Sequence, residues 1–414
     1  MEKSTHKKLR IGDIVQTMSL THKFDKDKLI AINTSDVYNG IMGDGTLTPV
    51  EELKGQFKKT IQKGDILFSE IRPANRRFAK VTASDCTDFV VSTKLMVLRK
   101  FNNEVDSDYF YYCLTNQPFL ETLQRRAENR IGSFPQITFD LLSNYAFPIP
   151  LLEEQKHIAS IIASIDRKIE LNKQINDNLE AMAKQLYDYW FVQFEFPNEE
   201  GKPYKSSGGA MVYNEKLKRE IPKGWSNGVL SDVANITMGQ SPDGSSYNED
   251  GEGIIFYQGS TDFGLRFPDI RQYTTSPSRY ANKGDILMSV RAPVGALNIA
   301  NNDCCIGRGL SALSSKIGSI THLYYLMNDF RLKFEGMNSA GTTFGSITKD
   351  ELFSLPVIIP TKSVISEFEQ VCEPIFDKQM IIGEEINALT KQRDELLPLL
   401  MNGQATVNYH LSDE

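Results

Sequence analysis

The side chains best suited to chemistry are arginines set beside amides and hydroxyls in short loops. Arg72, Asn75, Arg76 and Arg77 lie within RPANRR, and Arg125, Arg126 and Arg130 within QRRAENR. An arginine fork pairs in two places with phosphate or with the O6/N7 edge of guanine, and an asparagine amide pairs with adenine. Further along, GQSPDGSSYNEDGEG offers Gln240, Ser241, Ser245 and Tyr247 as adaptable donors, and SVRAPVG offers Arg291. Arg308 stands between two glycines in IGRGL, where a backbone could come close to a ligand, and NSAGTTFGSIT holds Thr342 and Thr343. Each stretch alone reads equally well as a solvated basic face or an ordinary hairpin loop. What they have in common is an affinity for anions and base edges.

Chemistry of other kinds is missing. The chain has no GxxxxGK[ST] phosphate loop, no GxGxxG after a strand, no GxSxG and no kinase signature. An Asn/Asp-Pro-Pro-aromatic tetrapeptide of the amino-methyltransferase kind is also absent, and no carboxylate pair is followed by Glu-x-Lys at nuclease spacing. Five cysteines without a CxxC pair and five scattered histidines give no metal-ligand spacing. The expectation is a chain that catalyses nothing and carries no cofactor or metal of its own.

The loops must be positioned by something, and the chain states its frame twice. KGDILFSEIRP (63–73) returns as KGDILMSVRAP (283–293), 220 residues on. YFYYCL returns as HLYYLM after 213 residues, SFPQITFDLL as TFGSITKDEL after 210, and FPIP as VIIP after 210. Ordered echoes with slightly drifting spacing indicate a tandem duplication with loop insertions. Each copy reads as an α+β globule, with short β-branched runs such as KLMVLRKF, GIIFYQG and GALNIA, and a helical stretch over SDYFYYCLTNQPFLETLQRRAENR. In KGDIL, Gly64 and Gly284 suit a turn, Asp65 and Asp285 can cap it, and Ile-Leu enters a buried strand.

A long helix follows each globule. On the first, Ile158, Ile162, Ile165, Ile169, Asn172, Asn176, Leu179, Ala183, Leu186 and Trp190 recur at alternating spacings of four and three. On the second, Phe368, Cys372, Ile375, Gln379, Ile382, Ile386, Leu389, Arg393, Leu396 and Leu400 do the same. Pro374 is expected to disturb the second helix and Gly383 to weaken it. At 1.5 Å per residue each helix reaches about 55 Å, longer than a small domain is wide, so packing on each other or on partner helices is expected. The resulting division is 1–150 first globule, 151–195 first helix, 196–220 linker, 221–360 second globule, 361–403 second helix and 404–414 tail. The Gly/Ser/Lys-rich stretch reads as an inter-repeat linker or extended loop.

The net charge of −7 is unevenly spread. Residues 7–150 carry 20 Lys/Arg against 17 Asp/Glu, while 151–200 carry 5 against 10 and 361–414 carry 4 against 10. The acid lies in the helices, so contact with a polyanion depends on local patches of the globules. The basic, polar N-terminus lacks an apolar signal core, and no run approaches the roughly 20 residues of a bilayer span. A cytoplasmic location without membrane contact is expected.

Over residues 7–403 the sequence resembles the DNA-specificity subunits of type I restriction-modification systems. GQSPDGSSYNEDGEGIIFYQG, SVRAPVGALNIANNDCCIGRGL and PIPLLEEQKHIASIIASIDRKIELN carry the likeness. The opening of the first globule, IGDIVQTMSLTHKFDKDKLIAINTSDVYNGIM, departs from the second's glycine-serine loop, so its contact residues transfer poorly. The resemblance implies two target recognition domains, each reading half of a bipartite, asymmetric site in the major groove of double-stranded DNA. It also implies that the helices pair as an antiparallel coiled coil that acts as spacer and docks two modification subunits, which bring the methylating chemistry, while two ATP-driven restriction subunits join that core. A two-headed scaffold for proteins or polysaccharide, and a minimal nuclease, are the competing readings from other classes.

Overall fold

The computed structural model describes residues 7–53, 55–129, 135–339, 345–401 and 404. It divides into two compact units, Met1–Ile169 with Ala388–Glu414, and Glu170–Asn387. Arg130, Thr342, Thr343 and nearly all of the 404–414 tail lie outside the described residues.

In the first unit, β1 (Lys7–Arg10), β2 (Val15–Met18), β3 (Lys28–Ile32), β4 (Thr46–Pro49), β5 (Phe57–Lys59), β6 (Ile66–Ser69), β7 (Phe78–Lys80), β8 (Phe89–Ser92) and β9 (Leu95–Lys100) come first. Then follow α1 (Ser107–Thr115), α2 (Gln117–Glu128) and β10 (Ala146–Ile149). One antiparallel sheet has the order β2-β9-β6-β7. A second runs β4-β3-β8-β5, with β3 and β8 parallel, and β10 returns to pair with β1. The expected single helix is two, because Asn116 takes an extended conformation and its Oδ1 accepts from Phe119 N to cap α2, with Pro118 in the first turn. The long α3 (Leu152–Tyr187) starts in this unit.

The second unit opens with a hairpin, β11 (Met211–Asn214) and β12 (Arg219–Pro222). Next come β13 (Ser226–Val229), β14 (Ala234–Met238), β15 (Tyr247–Asn248), β16 (Ile254–Tyr257), β17 (Tyr273–Thr274), β18 (Tyr280–Ala281), β19 (Ile286–Ser289), β20 (Leu297–Ile299), β21 (Cys304–Ile306) and β22 (Leu310–Ser315). α4 (Ile320–Ser339) and β23 (Pro356–Ile359) follow, and the long α5 (Lys362–Met401) starts in this unit. The sheets have the orders β14-β22-β19-β20 and β15-β17-β16-β21-β18, with β16 and β21 parallel, and β23 returns to pair with β13. Apart from the hairpin β11–β12, the added β15 and a short Val37–Tyr38/Ile41–Met42 pair present in the first unit, this is the first unit's topology again. The register also repeats, since Ile66 faces Leu98 as Ile286 faces Leu313.

The repeated KGDIL has a physical explanation in this frame. Ile66 and Phe68 point into one core while Leu67 points into another, and Ile286, Met288 and Leu287 divide in the same way. A strand between two cores needs an unbroken apolar run, because successive side chains face opposite ways. Gly64 and Gly284 turn with φ of 91° and 92°, a region L side chains avoid. Asp65 accepts from Gln62 N at 2.9 Å, and Asp285 accepts from Asn282 N at 2.8 Å.

Both long helices form, and their seam positions turn inward. Ile158, Ile162, Ile169, Phe368, Ile382 and Ile386 are buried, while Ile165, Leu179, Leu186, Ile375, Leu389 and Leu396 are half-buried. In the first unit Ile158 and Ile162 share a core with Leu397 and Leu400, and Asp166 of α3 accepts from Arg393 of α5 at 3.0 Å. In the second unit Asn172 donates to Glu385 at 2.9 Å and Gln379 donates to Glu180 at 2.8 Å. These partners run in opposite order along the two helices, so the helices are antiparallel there.

Two expectations are corrected. α5 is continuous through Pro374, which is exposed on the helix's outer side, where a lost backbone bond faces water. Residues 196–220 are not an extended loop throughout: β11 and the start of its hairpin partner β12 lie within them. Phe194, Phe196, Ile221 and Trp225 bury against Tyr187, Trp190, Phe191 and Phe368. Charged residues dominate that stretch by number, but Phe196 and the aromatic residues flanking it are what pack into a core. No helix among the described residues is long and apolar enough to cross a membrane.

Candidate nucleic-acid interface

In the first unit the chain leaves β6 through Ser69, whose hydroxyl donates to Ile71 O at 3.2 Å, and enters a 3-10 turn over Pro73–Asn75. Arg72 and Arg76 bracket the turn with φ of 46° and 52°. Left-handed conformations at non-glycine residues cost of order 1 kcal/mol or more each, so the surroundings must hold them. They do. Ala74 N donates to Gln124 of α2 at 3.2 Å, Arg76 Nη2 to Gln117 of α2 at 2.6 Å, and Arg72 N to Pro135 O at 3.0 Å.

The turn therefore sits on the helix whose last turn carries Arg125 and Arg126, and the two arginine stretches of the sequence form one surface. Arg72, Asn75, Arg125 and Arg126 are exposed, and among the described residues their side chains have no recorded partner. Arg77 is engaged, donating to Ser35 O at 3.1 Å and lying 5.4 Å over the Tyr38 ring.

In the second unit the ends of four strands converge. Past β14, Gln240 N donates to Ile306 O at 3.0 Å, and Ser241 Oγ accepts from Arg308 N at 3.4 Å. Past β19, Val290 N donates to Gly309 O, and Arg291 bridges to Ser346, as Ile71 bridges to Gln136 in the first unit. Ser289 caps this exit as Ser69 does, donating to Arg291 O at 2.7 Å. Past β16, Tyr257 O accepts from Gly307 N at 2.8 Å and leaves Gln258 exposed beside the turn. Arg291 and Arg308 are exposed with no recorded side-chain partner.

Three sequence readings change in detail. Tyr247 is not a free donor, because its hydroxyl reaches Pro242 O at 3.0 Å and its ring stacks on Phe256 at 4.9 Å. Ser245 caps its own turn on Asp243 at 2.7 Å, and these hydrogen bonds lower the Asp243 pKa. The glycines beside Arg308 admit the protein's own backbone rather than a ligand: a Cβ on Gly309 would fall 2.6 Å from Gln258 O, and one on Gly239 would fall 2.1 Å from Gly307 O.

Sequence reasoning missed Arg279. It is exposed, its carbonyl accepts from Ile306 N at 2.9 Å, and the neighbouring Ser278 hydroxyl donates to Gln240 O. Its signal was an arginine in the turn-forming TTSPSR, just ahead of the second KGD. The surface thus gathers Gln240, Gln258, Arg279, Arg291 and Arg308 at one end of the sheets. Among the described residues no three His, Cys, Asp or Glu side chains are grouped to hold a metal.

Comparison with known proteins agrees with this duplicated frame. Residues 3–181 and 222–395 each match the family described as type I restriction modification DNA specificity domain. The chain is 29% identical to the type I restriction enzyme HindI specificity subunit of Haemophilus influenzae, over 97% of this chain and all of that one. It is 32% identical to the putative type I restriction enzyme MjaX specificity subunit of Methanocaldococcus jannaschii, over 96% and 93% of the two chains. The crystal structure of a type I restriction-modification S subunit from M. genitalium shares the fold with a TM-score of 0.55 over 97% of both chains, at 16% identity.

Proposed function

Because the chain belongs to the type I restriction-modification DNA specificity family, whose role is recognition of target DNA, we propose that each of its globules reads one half of a bipartite site. The carrying observation is that one frame, repeated in strand order and register, ends both times in arginine-bearing loops of unlike sequence. Arg72, Asn75, Arg125 and Arg126 would contact one half-site, and Gln240, Gln258, Arg279, Arg291 and Arg308 the other. Some would reach base edges in the major groove and some the phosphates that set position.

The long helices would pair as a coiled coil that sets the spacer, since half-sites one turn apart need a separator of about 34–36 Å. In this reading the helices also dock two modification subunits, to which two restriction subunits are added. Methyl transfer and cleavage belong to those partners, and this chain contributes address rather than catalysis.

The test is binding of the full chain, assembled with its modification subunits, to duplexes recovered from methylome mapping. Affinity should fall steeply with salt, the slope counting the phosphates neutralised. A flat salt response, or no discrimination between mapped and scrambled duplexes, would favour the two-headed scaffold for proteins or polysaccharide instead.

A further inference from the structure

Arg266 is 5% exposed, although it belongs to a loop of the second globule. Its Nη1 donates to Glu180 Oε2 of α3 at 3.0 Å, and its Nη2 donates to Gln379 Oε1 of α5 at 3.0 Å. Gln379 Nε2 closes the triangle on Glu180 at 2.8 Å. The guanidinium lies over the adjoining rings of Tyr324 and Phe376, 5.1 and 4.9 Å from their centroids. The next residue, Phe267, fills the notch left by Gly383, where a Cβ would come within 2.7 Å of its ring. The loop is tied to its own globule as well: Arg266 O accepts from Ile299 N at 3.0 Å, and Gly264 exchanges hydrogen bonds with the Asn298 side chain at 3.2 and 3.1 Å.

Three elements thus meet in one polar figure, buried at Arg266 and Gln379 and half-buried at Glu180: the globule and both helices of the second unit. Such a figure adds little net stability, because desolvating the ions offsets their attraction and apolar side chains of the same size would pack as well. Arg266 Nε is moreover buried without a partner. What directional bonds add over apolar contact is uniqueness of geometry. Apolar surfaces can rotate past one another with small loss, whereas this triangle closes in a single orientation.

We infer that Arg266, Glu180 and Gln379 are positioning residues that index the rotation of the second globule about the helices, and so restrict the spacer accepted between half-sites. This rests on the half-site reading above. Its basis in DNA geometry is that each added base pair turns the far half-site by about 35° and moves it about 3.4 Å.

The experiment uses the full chain assembled with its modification subunits and duplexes whose spacer is one base pair shorter, cognate, or one longer. The wild type should lose at least about tenfold in affinity off the cognate spacer. The size-matched triple variant Arg266→Met, Glu180→Leu, Gln379→Leu should keep its melting temperature and cognate binding, yet bind the altered spacers within about threefold of cognate. Arg266→Lys, which keeps the pair with Glu180 but cannot also reach Gln379, should fall between. A triple variant that discriminates spacers as the wild type does, or that loses affinity for all three in equal proportion, overturns the inference. A wild type indifferent to spacer overturns the half-site reading on which it rests.

Discussion

The two globules share a frame and differ in what the frame holds. Ser69 and Ser289 close the same strand exit, and Asp65 and Asp285 cap the same turn. Beyond the exit, the first globule builds a stiff turn locked on a helix, whereas the second gathers five polar side chains from separate loops. Buried positions must satisfy one geometry and stay alike, while exposed ones answer only to a ligand and diverge. A difference inside the frame is therefore unusual, and Asp65 against Asp285 is one. Asp65 is 1% exposed and receives both Nε and Nη2 of Arg99, at 2.8 and 2.7 Å. In the second globule Ser314 occupies the strand position that Arg99 holds in the first, and Asp285 has only its turn.

That contrast sets the largest expected effect. Asp65→Asn keeps the cap but strands Arg99, and should cost roughly 2–3 kcal/mol, below the usual range for a broken buried pair because Arg99 is partly exposed. Asp285→Asn strands nothing and should be close to neutral. Chemical denaturation of both variants measures the gap, and equal losses would break the comparison.

The frame was legible in sequence because it is written twice: one KGDIL could be accident, and four ordered echoes could not. The seam was legible for a similar reason, since a spacing of four and three survives any local context. Less legible were contacts made by folding alone. Nothing in the chain order joins Ala74 to Gln124, or Arg266 to Glu180 and Gln379. Pro374 misled because its effect depends on which way it faces, and the 196–220 stretch misled because five lysines and arginines outweigh a few aromatics in any compositional view.

A smaller expected effect concerns the unlike loops. Arg308→Ala should weaken binding by about 1–3 kcal/mol if its fork spans a base, and should relax recognition in one half-site only. Arg72→Ala should do the same in the other half-site. Methylation patterns of the two variants separate the globules, and a shared pattern of loss would mean that both arginines touch only phosphate or neither touches DNA. Ser245→Ala, which removes the side-chain part of a turn cap beside this surface, should cost about 1 kcal/mol or less in affinity, without altering specificity.

The smallest effect sharpens the first. Burial raises the pKa of Asp285, with the nearby Asp303 charge adding to the shift. A carboxyl whose folded pKa lies above its unfolded value holds more protons when folded, so its contribution to stability falls as pH rises from the unfolded pKa, about 3.9, through the folded one. At neutral pH the ionised Asp285 is thus a standing penalty on the second globule. Asp285→Asn removes it while keeping an acceptor for Asn282 N. The variant should melt slightly above the wild type at pH 7, and the difference should shrink as the pH is lowered toward the folded pKa. A difference that grows on acidification would mean that the lone carboxylate is stabilised by its turn, and that the missing arginine costs the second globule nothing.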